Sequence, residues 1–302
     1  MGKLAVLFTI FNRKDVSVKA FQSIKEYKPK RLYIAADGPR KNKQGEDVLC
    51  EETRQAVLNE IDWECEVKTL FRDENLGCAN AMYGAISWFF EQEEWGIICE
   101  DDVVVGQDFY KFCEDLLPRY SNEEKVMEIS AQNYVPMKEK SNNVVFTNSH
   151  YCWGWASWRR AWEKMDMSLS FWPSISLTYL IREFGLVQGT HTFWHGNQAY
   201  KNIKALNSWA FRWHLSIMYH HGYVLLSETN LSKNVGNTLE GAHYQAGEDD
   251  LYEHLKMGNV LFPLVIPQKI ELSKKQLRAE RRDFLRIRLH GLKKKFCAKI
   301  GL

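Results

Sequence analysis

Residues 95–117 read WGIICEDDVVVGQDFYKFCEDLL, and their reading decides the fold. Ile97, Ile98 and Cys99 have the length and β-branched content of a buried parallel strand. The run stops at three consecutive acids, Glu100, Asp101 and Asp102. A second apolar run, 103–105, follows, and then Phe109, Phe112, Leu116 and Leu117 mark one face of an amphipathic helix. Three like charges at the end of a buried strand repel one another, and burying them unpaired is costly. A divalent cation resolves that problem, because Mg²⁺ or Mn²⁺ takes one or two carboxylates and completes its shell with water and phosphate oxygens. An acidic loop that merely follows a strand is the alternative, and the triplet alone does not separate the two.

The residues before it supply context. Positions 4–10 (LAVLFTI) are an uninterrupted apolar run, as a central parallel strand requires. Phe11, Asn12 and Arg13 make the turn, and Asp15 is the expected cap of a helix over 16–27. A strand at 31–36 closes in Asp37-Gly38-Pro39-Arg40, a helix is expected over 51–61, and a strand at 65–71 ends in Arg72. Asn75-Leu76-Gly77 then leads into a small-residue helix over 78–90. The β-α-β-α-β-α-β order predicts a mostly parallel sheet with helices on both faces. Every strand here ends in polar side chains, and in an open α/β sheet those carboxyl ends form one ligand-lined rim. No G-x-G-x-x-G and no G-x-x-x-x-G-K-[ST] is present, which argues against a dinucleotide cofactor or a P-loop NTPase.

These residues resemble the nucleotide-binding half of GT-A fold glycosyltransferases, which are Rossmann-like. The resemblance assigns Thr9, Phe11, Asn12, Arg13, Asp37, Arg40, Arg72, Asn75, Gly77, Glu100 and Asp101 to the nucleotide sugar. It makes Glu100-Asp101-Asp102 the counterpart of the metal-binding D-x-D motif. The run from the acids into DFYKF is similar to the inverting N-acetylglucosaminyltransferases that act on N-glycans. A fuller match is to bacterial sugar transferases of surface-polysaccharide clusters. In those, D-G-P-R, N-L-G-C, E-D-D, W-G-W-A-[ST]-W-[RK]-R-A-W and a late N-[IV]-G followed by His occur in order. Here they fall at 37–40, 75–78, 100–102, 153–162 and 234–236 with His243, so the likeness spans about 3–245.

What the resemblance implies is inverting transfer of a hexose or N-acetylhexosamine from a UDP-sugar to a hydroxyl of a glycan acceptor. Asp102 and His243 would be ligands of Mn²⁺ or Mg²⁺, with Asp101 or Glu100 assisting. Trp153, Gly154 and Trp155 would wall the donor sugar and the acceptor, with core packing the alternative for the two tryptophans. Trp158 and Trp162, four apart, read as the inner face of a helix. Over 207–221 a helix is expected, with Trp209, Trp213 and Ile217 in the core. In the relatives this helix opens W-D-x-x-W, and the Asp resembles the general base. Here the position is Ala210, which takes no proton. Three explanations stand: an engineered Asp→Ala change, a natural inactive homologue, or a base elsewhere such as Glu228, Asp249 or Asp250. A sugar nucleotidyltransferase and a catalytically inactive sugar- or nucleotide-binding homologue are the competing functions.

Composition sets the remaining bounds. The 302 residues are 45% hydrophobic and 26% charged, with eleven Trp and thirteen Tyr, enough for a substantial core. Seven cysteines without C-x-x-C spacing suggest reduced thiols and a cytoplasmic setting. The net charge of +2 is uneven: 269–302 hold twelve Lys/Arg and three acids, while 1–268 hold 28 and 35. The division expected is therefore a transferase domain over 1–268 (nucleotide-sugar half 1–120, acceptor half 121–268) and a basic tail over 269–302. Within 273–302, Leu285, Leu289, Leu292, Phe296 and Ile300 fall on one helical stripe among Lys and Arg. That pattern suits an interfacial helix on an anionic membrane, at its inner face, where a lipid-linked acceptor would lie. A helix packed on the body is the alternative, and nothing points to nucleic acid.

Overall fold

The opening apolar run forms strand β1 (Val6–Ile10), with all five residues buried. In the computed structural model, which describes residues 2–236 and 255–300, β1 lies inside a nine-stranded mixed sheet. Around it the chain lays down α1 (Lys14–Tyr27), β2 (Arg31–Ala36), α2 (Glu46–Asn59), β3 (Glu66–Phe71), α3 (Cys78–Gln92) and β4 (Trp95–Glu100). The short β5 (Val103–Val105) and α4 (Gln107–Arg119) complete this half. β4, β1, β2 and β3 are neighbours in that order and all parallel. Their register aligns Ile10 with Ala36, Ala36 with Phe71, and Thr9 with Glu100, so four strands end at one rim.

The second half extends the same sheet. It contributes β6 (Val126–Ser130), β7 (Lys140–Thr147), β8 (Trp155–Trp158), α5 (Arg159–Trp162), α6 (Leu177–Phe184), α7 (Leu186–Lys201), α8 (Trp209–Tyr219), β9 (Tyr223–Ser227), β10 (Ser232–Asn234), β11 (Asn259–Val265) and α9 (Lys274–Ile300). The strand order is β11-β7-β9-β6-β8-β4-β1-β2-β3. β8 enters antiparallel to both β4 and β6, so the sheet is mostly but not wholly parallel, with helices packed against it. β10 pairs with β5 in a separate two-stranded ribbon that places Asn234 opposite Val103. The main core runs through the sheet, and a smaller one, with Phe171, Trp172, Leu180, Phe184 and Leu215, lies beneath α6 and α7.

Local chemistry departs from the sequence pattern in places. Asp15 is not a cap: it lies in the first turn of α1, where its charge suits the helix dipole, and Arg13 occupies the cap position without a side-chain cap bond. Trp158 ends strand β8 and Trp162 lies in the single turn of α5, so they do not share a helix face. Both are buried, because a strand followed at once by a helical turn folds the two indoles into one core. The basic C-terminal helix starts inside the body. Ser273 donates its backbone N–H to Phe146 at 2.8 Å, and Gln276 and Glu280 are buried. Glu280 accepts from Thr147 (2.7 Å), Ser149 (2.9 Å) and Gln276 (2.9 Å). Farther along α9, Leu285 and Leu289 face solvent. No helix among the described residues is long and apolar enough to cross a membrane.

Candidate functional site

The rim of β1–β4 gathers the acids onto one arginine. Arg13, in the turn after β1, donates to Asp101 Oδ1 at 2.9 Å and Asp102 Oδ2 at 3.0 Å. Its other terminal nitrogen donates to the carbonyl of Gly236 at 3.3 Å. Val235 in turn donates its N–H to the Asp102 carbonyl at 2.7 Å. Residues 13, 101–102 and 235–236, far apart in sequence, thus meet at one point. Gly236 is required there, because a Cβ would lie 2.3 Å from that of Asp102 and 2.8 Å from the guanidinium. Thr9 sits beneath, its hydroxyl donating to the Cys99 carbonyl at 3.4 Å.

One arginine does not neutralise three carboxylates. Burial, then Asp102 and Asp101, push the Glu100 carboxyl well above its ordinary range. Burial, opposed by Arg13 and reinforced by Asp102, pushes Asp101 up to about 6. Asp101 Oδ2 is buried and without a hydrogen-bond partner among the described residues. With all four groups ionised the cluster carries two excess negative charges, which a divalent cation would balance. Among the described residues no three ligating side chains surround one point. A cation would therefore take one or two carboxylates here and the rest of its shell from phosphate and water, the usual habit of Mg²⁺. His243, expected to assist, lies outside the described residues, as do Asp249 and Asp250.

Beside the acids, the β2 and β3 ends form the rest of the rim. Asp37 accepts from the Leu76 N–H at 3.0 and 3.1 Å and from Gly38 N–H at 3.1 Å, so it first shapes the 73–77 loop. Asn75 clamps the same loop, donating to the Gly38 carbonyl at 2.9 Å and accepting from the Gly77 N–H at 3.2 Å. Arg72 lies against Gly84 of α3, which makes room for its guanidinium. Burial lowers the pKa of Arg72 while the Asp37 charge opposes the shift, and its guanidinium donates no hydrogen bond among the described residues. Cys78, at the head of α3, reports that these groups share one space. Crowding around its sulfur, then the fields of Glu100, Asp37, Asp101 and Asp102, push its thiol up to about 12.

Glu46, which no sequence motif marks, organises the Asn12 and Arg40 side of the rim. It is buried at the start of α2 and accepts from Asn12 Nδ2 (2.9 Å), the Arg40 N–H (2.7 Å) and the Arg40 guanidinium. The Arg40 guanidinium also lies 5.5 Å over the Phe11 ring. Asn12 and Arg40 are thus committed to a protein carboxylate. The cue available in sequence was an acid in the first turn of a helix after a polar loop.

The W-G-W segment divides. Trp155 is fully buried in β8 and stacked on Trp209 at 5.5 Å, a core residue and not a wall of the cleft. Trp153 is half-buried and meets Tyr134 edge-on at 5.8 Å. Gly154 adopts φ 77° and a Cβ there would lie 2.2 Å from Val105, so it is needed for packing behind the acids. Ala210 stands in the first turn of α8, capped by Ser208, whose hydroxyl accepts from Phe211 N–H. The preceding Asn207 accepts from the Ala79 N–H at 3.0 Å, tying α8 to the head of α3. Glu228 is held by Asn143 (2.8 Å), Ser141 (2.9 Å) and Lys138 (3.2 Å), a structural role.

No family model matches the chain. No curated protein matches it either. Among solved structures it is similar to residues 1–349 of TarS from S. aureus, at 9% identity over 78% of this chain and 60% of that one, TM-score 0.41. It is also similar to the apo form of mouse xyloside xylosyltransferase 1, at 9% identity over 72% of this chain and 81% of that one, TM-score 0.38. HddC from Yersinia pseudotuberculosis matches at 11% identity over 57% of this chain and 87% of that one, TM-score 0.34. Likenesses this distant carry no argument about the site.

Proposed function

We propose that this chain is a GT-A-type glycosyltransferase that moves a hexose or N-acetylhexosamine from a UDP-sugar to a glycan hydroxyl with inversion. The observation that carries the reading is the Arg13 node. It brings the turn after the first strand, the acidic triplet and the late Asn234-Val235-Gly236 segment into contact, in the order the sequence resemblance requires. Arg72 supports it: a half-buried cation without a hydrogen-bond partner among the described residues suits an anionic ligand such as a diphosphate. Asp37 retains lone pairs for a nucleotide contact beyond those its loop uses.

Asp102, with Asp101 or Glu100, would hold Mn²⁺ or Mg²⁺. When bound, such a cation supplies Lewis-acid neutralisation of charge on the leaving diphosphate. The protein's own part is to fix the carboxylates through Arg13 and to place Arg72 at the rim. The exposed Leu285 and Leu289 on basic α9 suit peripheral attachment to an anionic membrane, where a lipid-linked acceptor would be met. The test is nucleotide release from UDP-glucose, UDP-galactose, UDP-N-acetylglucosamine and their GDP counterparts with Mn²⁺. One donor is expected to turn over, and Asp102→Asn to slow it at least about tenfold, or 1.4 kcal/mol of barrier. A chain that neither binds nor cleaves any of them overturns the reading.

A further inference from the structure

Alanine at 210 leaves the expected proton acceptor missing, and a histidine paired with a buried carboxylate lines the same cavity as that residue. Glu128, on β6, is fully buried. Its Oε2 lies 2.6 Å from His150 Nδ1 and accepts the indole N–H of Trp213 at 2.8 Å. With Nδ1–H assigned as the donor to this carboxylate, His150 Nε2 carries the free lone pair. That nitrogen is buried and has no hydrogen-bond partner among the described residues. The ring packs against the stacked pair of indoles, edge-on to Trp155 at 6.2 Å and to Trp209 at 5.9 Å. A buried polar atom left unpaired is costly, and native structures rarely tolerate one without a use.

His150 lines a cavity of about 390 Å³ together with Cys152, Ala210, Tyr134, His214 and Glu280. The Cys152 end lies toward the acids: the Cys152 carbonyl accepts the Gly154 N–H at 2.9 Å, and Gly154 packs against Val105 and Val103, just after the acidic triplet. Of the cavity's other carboxylates and imidazoles, Asp283 is engaged by Arg286 at 2.7 Å, and the remaining two are poorer proton acceptors. Glu280 is already hydrogen-bonded by Thr147, Ser149 and Gln276. Burial, then His150, lower the pKa of His214 to about 4.

We propose that His150, oriented by Glu128, is the general base that accepts the acceptor's hydroxyl proton in this cavity, in place of the side chain that Ala210 lacks. The inference rests on the glycosyltransferase reading above. As the acceptor oxygen bonds to the anomeric carbon, its proton passes to Nε2. The bond from that carbon to the diphosphate oxygen breaks, and its electron pair leaves with the nucleotide diphosphate. The imidazolium so formed is stabilised by the Glu128 carboxylate, and the entering hydroxyl gives Nε2 the partner it lacks.

The test uses the full chain with Mn²⁺ and the UDP-sugar panel, with water and methyl glycosides as acceptors. His150→Gln and Glu128→Gln are compared with wild type, and His150→Gly is assayed with and without added imidazole. Donor binding is followed by calorimetry. The expected result is a loss of about 10²–10⁴ in turnover for His150→Gln, the usual size of a general-base effect. Donor affinity stays unchanged, and imidazole restores turnover to His150→Gly, which a structural role would not give. Wild-type turnover in His150→Gln, or no restoration by imidazole, overturns the proposal. So does a wild-type chain that binds donor but is silent until Ala210→Asp is introduced, and in that case the glycosyltransferase reading stands. A chain that binds no nucleotide sugar overturns both.

Discussion

Replacing Arg13 with leucine removes the cation that joins Asp101 and Asp102 while keeping most of the apolar stem. The three side chains are 15%, 13% and 24% exposed, so the pair belongs with buried ion pairs more than with surface ones. Breaking a buried pair from one side costs about 3–5 kcal/mol, mainly because a charge is left unpaired. Two carboxylates are stranded here, one of them partly wetted, and the expected loss is about 3 kcal/mol. The assay is urea unfolding at neutral pH without divalent ions, on Arg13→Leu, on Asp101→Asn/Asp102→Asn and on the triple variant. If stranded charge is the cause, the triple variant recovers most of the loss, and the coupling appears as strong non-additivity. Added Mg²⁺ or Mn²⁺ stabilises Arg13→Leu more than the triple variant. A loss under about 1 kcal/mol, as for an exposed pair, or a triple variant no better than Arg13→Leu, refutes the reasoning.

Other predictions follow from particular contacts. Arg72→Gln weakens UDP binding about ten- to a hundredfold, the loss of one charge-assisted bond, with no fall in urea stability because a desolvated cation is removed; unchanged UDP affinity in calorimetry argues against a diphosphate at Arg72. Gly154→Ala meets both the φ of 77° and Val105, and about 2–4 kcal/mol of urea stability is lost through strain and overpacking. Glu280→Ala strands the hydroxyls of Thr147 and Ser149 and the Gln276 amide and costs about 2–4 kcal/mol, which thermal melting would show if α9 is part of the fold. His214, whose pKa is lowered to about 4 by burial and then His150, is neutral in the fold while its unfolded form protonates near 6.5. Its contribution is fully present above pH 6.5 and is lost as pH falls toward 4, up to about 3 kcal/mol. His214→Gln should flatten that part of the urea stability–pH curve relative to wild type.

The first half was legible because its signals are local. Uninterrupted apolar runs such as 4–10 and 32–36 have no amphipathic alternative, and the strands they form end where the polar residues begin. The expected rim at Arg13, Asp37, Arg72 and Glu100 follows from that alone, since parallel register aligns the strand ends. The second half was less legible. Trp155 and Trp158 read as a wall or a helix face, yet β8 is a buried antiparallel strand whose four residues are all core; no short apolar run announces its pairing. α6 and α7 carry scattered apolar positions that only their mutual packing makes sense of. The Glu128–His150 pair joins residues 22 apart through tertiary folding, and neither has a motif around it. Charge alone marked 269–302 as a tail, but the buried Gln276 and Glu280 make its first turns part of the body, because their polar ends find partners that composition does not disclose.

The most direct test of the central claim is calorimetric titration of the chain with each UDP- and GDP-sugar, in Mn²⁺ and again with a chelator in excess. One nucleotide sugar is expected to bind in Mn²⁺, with most of that affinity removed by the chelator and, equally, by Asp102→Asn. Binding indifferent to chelator and to Asp102→Asn, or no binding of any nucleotide sugar, would contradict it.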